Sequence, residues 1–243
     1  MRIDKFLADM TPYSRNDIKK LIRKGAVSAD GQLIKSSSQQ VEEDSEVFLF
    51  DELITYRRYE YYLMYKPAGY LCANYDARDP VVFELLDSVR KDLSCVGRLD
   101  KDAEGALLIT NDGMLNHQLL TASHHVDKKY YVEYDGELPD SAADIIARGI
   151  AFKEFTSLPG RLEVIDGHSA YLTICEGKFH QVKRMFAYLG CQVSYLRRDE
   201  FAGLNLEGLE CGEYRMLDEE EVQRLRELGE AKKVEGDDLL TEE

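Results

Sequence analysis

Three stretches hold residue types that can do chemistry together. The first is Val96-Gly97-Arg98-Leu99-Asp100-Lys101-Asp102-Ala103-Glu104-Gly105, which runs straight into the apolar Ala106-Leu107-Leu108-Ile109-Thr110. An aspartate beside an arginine is favoured in its charged form by the opposite charge, and a carboxylate must be charged to act as nucleophile or base. The two glycines let backbone approach a ligand closely. The second is Asp127-Lys128-Lys129-Tyr130-Tyr131-Val132-Glu133-Tyr134, a strand with aromatics near its start. An aromatic on a sheet can stack on a nucleobase. Alternation puts Tyr130 and Tyr131 on opposite faces. The third is Leu172 to Phe186, where a strand ends at Glu176-Gly177 and a helix opens among Lys178, His180, Lys183 and Arg184. Basic side chains at a helix N-terminus make an anion site. Each stretch also has a plain structural reading: a salt-bridged turn, a half-buried tyrosine, the outer face of an amphipathic helix.

These stretches need a scaffold, and the hydrophobic pattern supplies one. Residues 1–55 read as a small separate module. Ile3, Phe6, Leu7 and then Ile18, Leu21, Ile22 recur at helical spacing. Ser14 followed by Asp17 resembles a capping box, and Gly25 stops the second helix. Short strands follow at Val27–Ala29, Gln32–Lys35 and Glu46–Phe50, with Asp30-Gly31 as a turn. Polar residues 51–60 read as the linker. A second domain, residues 56–230, mixes strands (61–65, 106–110, 130–134, 162–165, 170–174) with helices (81–90, 141–148, 180–189). The expected class is α+β: a helix-helix-strand module, then a domain with a mixed, largely antiparallel sheet flanked by helices. Glu219–Leu228 reads as a terminal helix, and residues 231–243 as an acidic, solvated tail.

The chain holds 31 Lys and Arg against 46 Asp and Glu, a net charge of -15. Taken whole, that argues against a general polyanion binder. The charge is unevenly spread. Arg2 to Lys35 carries eight basic and four acidic residues, and Asp218 to Glu243 carries four basic and eleven acidic. Within the basic module, Arg15, Lys19 and Arg23 follow one another at helical spacing with Lys20 and Lys24 beside them. Such a stripe suits phosphate-backbone contact, or it is a solvated helix face. The five cysteines are odd in number, scattered and never in C-x-x-C pairs, so free thiols in a reducing cytoplasm are expected. No run of about 18 apolar residues and no signal-peptide pattern occurs, so neither membrane anchoring nor secretion is expected. Neither the histidines nor the cysteines show metal-ligand spacing.

Taken in this order, the motifs resemble those of the RNA pseudouridine synthases, in particular the ribosomal small subunit pseudouridine synthase A family. Lys66-Pro67-Ala68-Gly69-Tyr70, Ser123 to Lys128 and Gly212-Glu213-Tyr214-Arg215 also fit. The resemblance covers about residues 1–222, and residues 1–55 resemble the S4 RNA-binding fold. It implies conversion of a uridine in RNA to pseudouridine without cofactor or metal. By the same resemblance Asp100 is the catalytic aspartate, in a covalent or a proton-abstracting role. Tyr130 stacks on the flipped uracil, and Lys183 pairs with the aspartate. Arg98 contacts RNA, together with Lys178, His180 and Arg184, while Leu172 or Ile174 floors the uracil pocket. The pair Arg197-Arg198 departs from the family pattern and reads as RNA-backbone contact outside the active site. The implied partner is ribosomal RNA, 16S or an assembling small-subunit particle, bound by a cytoplasmic monomer. A large-subunit uridine, or a non-catalytic assembly factor that keeps the fold, are the alternatives.

If the Arg15–Lys24 helix grips phosphates, RNA affinity will fall steeply with salt. The double substitution Lys19→Glu, Arg23→Glu is expected to flatten the log-affinity against log-salt slope by roughly one unit for each phosphate no longer neutralised. Filter binding across a salt series measures it, and an unchanged slope returns the stripe to a solvated face.

Overall fold

A computed structural model describes residues 1–121 and 125–230. Ser123, His124 and the acidic tail 231–243 therefore lie outside the described residues. The chain divides into two units, Met1–Glu60 with Asp87–Leu93, and Tyr61–Leu86 with Ser94 onward.

In the first unit, α1 (Ile3–Met10) and α2 (Arg15–Arg23) bury Ile3, Phe6, Leu7, Ile18 and Ile22. They share this core with Val27, Val47 and Leu49 of an antiparallel sheet ordered β2-β1-β3-β4. Its strands are β1 (Val27–Ala29), β2 (Gln32–Leu33), β3 (Val47–Leu49) and β4 (Glu52–Ile54). The start of α2 follows its sequence: Ser14 Oγ accepts from Asp17 N at 3.2 Å, which satisfies an otherwise orphaned amide. Residues 51–60 are not a free linker. Glu52–Ile54 pairs with β3, and Ile54 and Tyr56 pack on the core. Polarity masked this strand because β4 is an edge with one wet face.

The second unit is built on one sheet, ordered β13-β5-β7-β11-β8-β10-β9, with β6 added to β7 and β12 to β11. The strands are β5 (Tyr61–Lys66), β6 (Ser94–Val96), β7 (Glu104–Thr110), β8 (Lys128–Asp135), β9 (Arg161–Val164), β10 (Ser169–Ile174), β11 (Gln192–Phe201), β12 (Leu204–Asn205) and β13 (Tyr214–Met216). The β7–β11 pair is parallel and the others are antiparallel. Two core clusters hold helices against the sheet. In one, α4 (Ala142–Arg148) and α5 (Gln181–Tyr188) cover Val132, Tyr134, Ala170 and Leu172. In the other, α3 (Gly113–Leu120) and α6 (Glu219–Glu230) meet Leu63, Ala106 and Leu108 through Leu115, Leu119 and Leu225. The helix expected over residues 81–90 is only one 3-10 turn, Val82–Leu85. Beyond it, Ser88 Oγ donates to Glu60 and accepts from Arg90 N. Such local side-chain bonds compete with helix propagation.

The parallel pair forces one close approach. Gly105 lies opposite Arg198 with φ +116°, and a Cβ built there would sit 2.2 Å from the Arg198 carbonyl oxygen. Backbone cannot yield as a flexible side chain does. Gly105→Ala is expected to cost roughly 3 kcal/mol or more, or to prevent folding of the second unit. Denaturant unfolding measures it, and a loss below about 1 kcal/mol would contradict this geometry.

Candidate active site

Asp100 sits on the turn between β6 and β7. Lys66, at the end of β5, is completely buried, and its Nζ donates to the carbonyls of Ala103 at 2.7 Å, Pro67 at 3.0 Å and Lys101 at 3.4 Å. Burial lowers the Lys66 pKa despite nearby acidic groups. The turn is tied again by Leu99 N, which donates to Cys72 Sγ at 3.4 Å. The Cys95 thiol and this amide hold the Cys72 thiol below its ordinary value. Two successive backbone segments around Asp100 are thus fixed from behind, leaving its carboxylate partly open.

Lys183, in the first turn of α5, reaches Asp100 Oδ2 at 3.4 Å and Asp102 Oδ1 at 2.7 Å. Burial would lower its pKa, but the Asp102 hydrogen bond and the Asp100 charge outweigh that and raise it. The hydrogen bond from Lys183 in turn holds the Asp102 carboxyl below its ordinary value. His180 Nε2 lies 3.6 Å from Asp100 Oδ2. His180 adopts φ +51° ahead of α5 and stacks on the exposed Phe179, ring centroids 3.8 Å apart. The loop before the helix is braced by the buried Gln181, which donates to Glu176 Oε1 at 2.7 Å and accepts from Lys178 N at 2.9 Å.

The residues meet at two adjoining clefts. The smaller, about 70 Å³, is lined by Arg98, Asp100, Tyr130, His180 and Lys183, with Leu99, Ala103, Ile174, Val182 and Leu196 as apolar wall. The larger, about 540 Å³, shares Arg98, Asp100, Tyr130, Lys178 and His180 and extends over Asn116, Lys128, Phe179 and Arg198. Tyr130 is buried on the cleft side of β8, while Tyr131 stands on the other face against Tyr171 and Tyr195.

Not every expected residue joins them. Leu172 is fully buried in the core and lines neither cleft, whereas Ile174, two residues nearer the strand end, lines the smaller one. Arg184 points away, bonded to Glu154 and stacked on Phe152 at 4.7 Å and Phe155 at 5.0 Å. Arg15, Lys19, Lys20, Arg23 and Lys24 lie on or just after α2 in the first unit. Lys20 pairs with Asp17 at 3.0 Å, and Lys19 is half-buried while Arg15, Arg23 and Lys24 are exposed. The reading of Arg197-Arg198 as one basic pair fails. Strand alternation separates them: Arg197 bonds Asp199 and lies over the Tyr131 ring at 5.3 Å, whereas Arg198 is 2% exposed in the cleft wall. Lys128, Asn116 and Phe179 were also not expected there. Lys128 was visible as the residue two before Tyr130, on the same face of the same strand. Among the described residues no three His, Cys, Asp or Glu side chains form a metal-binding group.

A family model described as RNA pseudouridylate synthase matches residues 60–188, more than half of the chain, and one described as S4 domain matches residues 1–47. The chain belongs to the RNA pseudouridine synthase family. Its relatives include the ribosomal small subunit pseudouridine synthase A of Haemophilus influenzae, 38% identical over 93% of this chain and 99% of that protein. An uncharacterized RNA pseudouridine synthase of Bacillus subtilis is 39% identical over 93% and 99%. A crystal structure of a pseudouridylate synthase, 36% identical, superposes with a TM-score of 0.66 over 93% of this chain and 99% of that one. The protein is an RNA pseudouridine synthase, an isomerase with an S4 domain. Among the described residues no helix is long and apolar enough to cross a membrane.

Burial and the Arg198 charge bring the Lys128 ammonium down to about 8. Below that pH both folded and unfolded chains hold the proton. Between about 8 and the ordinary 10.5 the unfolded chain holds more, so this group's contribution to stability rises with pH. Side-chain NMR of labelled lysine is expected to show one lysine titrating near pH 8, and Arg198→Met is expected to move it upward. A Lys128 titrating at the ordinary value would refute the burial argument.

Proposed function

We propose that this enzyme isomerises one uridine of 16S ribosomal RNA to pseudouridine, with Asp100 as the acting carboxylate. The observation that supports it is the convergence of Asp100, Lys183 and Tyr130 on one small cleft with an apolar wall. In the reaction the N1–C1′ bond breaks, the uracil turns, and a C5–C1′ bond forms. C5 loses its proton and N1 gains one, so the composition is unchanged. A carboxylate serves the exchange either by bonding to the ribose or the base or by taking a proton. In both roles it must be held in place beforehand, and the Lys66 and Cys72 contacts supply that.

The uridine has to leave its stack to arrive, at a cost of a few kcal/mol. Tyr130 gives the extruded ring a buried aromatic neighbour. The apolar side chains Ile174, Val182 and Leu196 cover it, and Arg98, exposed at the mouth, meets the RNA left behind. Lys183 supplies the counter-charge for Asp100. The basic face of α2 grips backbone phosphates, as S4 domains suit. A small-subunit target is supported by the relatives named for that substrate, and five free cysteines suit a reducing cytoplasm.

Asp100→Asn is expected to lower pseudouridine formation by ~10³-fold or more while leaving RNA affinity within about threefold. Chemical mapping of ribosomal RNA from a deletion strain is expected to show one small-subunit pseudouridine missing. A missing large-subunit site would move the target, no missing site would leave an RNA-binding protein, and full turnover by Asp100→Asn would remove that residue from the reaction.

A further inference from the structure

The larger cleft holds polar groups that the reaction at a single uracil does not use. Among the described residues, two buried side-chain polar atoms have no hydrogen-bond partner: Asn116 Oδ1 and Arg198 Nη2. Both residues line this cleft. Arg198 is held by its Nε, which donates to Ala106 O at 2.8 Å, and by its packing over Phe201 at 4.9 Å. That leaves Nη2 unpaired in a side chain that is 2% exposed. Asn116 is oriented by its amide nitrogen, which donates to Ser94 Oγ at 3.2 Å and to Cys95 O at 3.5 Å. Its oxygen is what remains. Native proteins rarely leave buried polar atoms unpaired, and each one calls for an explanation.

The two orphans are of opposite sense, one donor and one acceptor. A phosphate offers acceptors alone and would satisfy only the arginine. A nucleobase edge offers both, and a guanidinium prefers a base carbonyl oxygen. The cleft has room for more than the reacting ring, since about 540 Å³ adjoins the roughly eightfold smaller catalytic cleft. It also carries an aromatic platform: Phe179 is 72% exposed and stacked with His180. Exposed aromatics of this kind take unstacked bases.

We propose that this cleft is a second nucleobase subsite, which receives a nucleotide flanking the target uridine and reads its edge with Asn116 and Arg198. Guanine and uracil fit best, because each sets a carbonyl oxygen next to a ring N–H. The inference rests on the reading of the smaller cleft as the uridine site. It makes the enzyme's choice of uridine depend on a neighbouring base that does not react.

The test is a coupling cycle on the full chain. RNA transcripts that the wild-type enzyme converts are prepared with one flanking nucleotide at a time made abasic. Dissociation constants are then measured for wild type, Asn116→Leu and Arg198→Met. At one flanking position the missing base is expected to weaken wild-type binding about tenfold and Asn116→Leu binding less than about twofold. Arg198→Met is expected to show the same coupling, and the Asn116 arm decides alone if that buried variant does not fold. Equal losses in wild type and Asn116→Leu at every position, with pseudouridine still formed, overturn the subsite and leave the uridine reading intact. Coupling of Arg198 to a flanking methylphosphonate instead of to the abasic position makes the occupant a phosphate and overturns it too. If the wild-type enzyme converts no unmodified transcript to begin with, the uridine reading is overturned, and the subsite with it.

Discussion

One buried ammonium organises the turn that carries Asp100. Lys66 places a charge where no water reaches and turns it on the carbonyls of Pro67, Lys101 and Ala103. A charge in that position is tolerable only if hydrogen-bonded, so the backbone that follows Asp100, at Lys101 and Ala103, must fold around it. The same strand-to-turn passage then enters β7 at Gly105, where the Arg198 backbone presses close. The position of Asp100 is thus set by β5, the parallel β7–β11 pair and the Cys72 contact together. Lys183 arrives from a different element, α5, and joins a carboxylate that is already placed.

Much of this was legible in the sequence because it depends on local periodicity. Ser14 and Asp17 announced α2, and two-residue alternation separated Tyr130 from Tyr131. The same alternation, applied to Arg197 and Arg198, would have split that pair and put one of them in the cleft. The adjacency of two like charges suggested a single surface function instead. Leu172 and Ile174 share a face of β10, and only their distance from the strand end distinguishes core from cleft. That distance depends on which neighbours cover the strand, which one chain segment does not reveal. The helix expected at residues 81–90 failed for a related reason. Ser88 and Arg90 find partners in Glu60, Asp92 and the Arg57 carbonyl, contacts remote in sequence or invisible to a helical pattern.

Charge distribution follows the same division of labour. The chain is acidic as a whole, yet exposed cations stand together on α2, at Arg15, Lys20 and Arg23, and at the clefts, at Arg98 and Lys178. An acidic surround weakens nonspecific attraction to RNA. On the proposed function, selectivity then falls to the shaped site around one extruded base.

The lysine shared by two carboxylates has an electrostatic consequence. Lys183 carries one positive charge against two negative ones on Asp100 and Asp102. Its ammonium is divided between them, and Asp102, at 2.7 Å, holds the larger share. Asp100, at 3.4 Å, is paired loosely enough to leave part of its carboxylate uncovered, so the second aspartate keeps the first from being closed off by its own counter-charge.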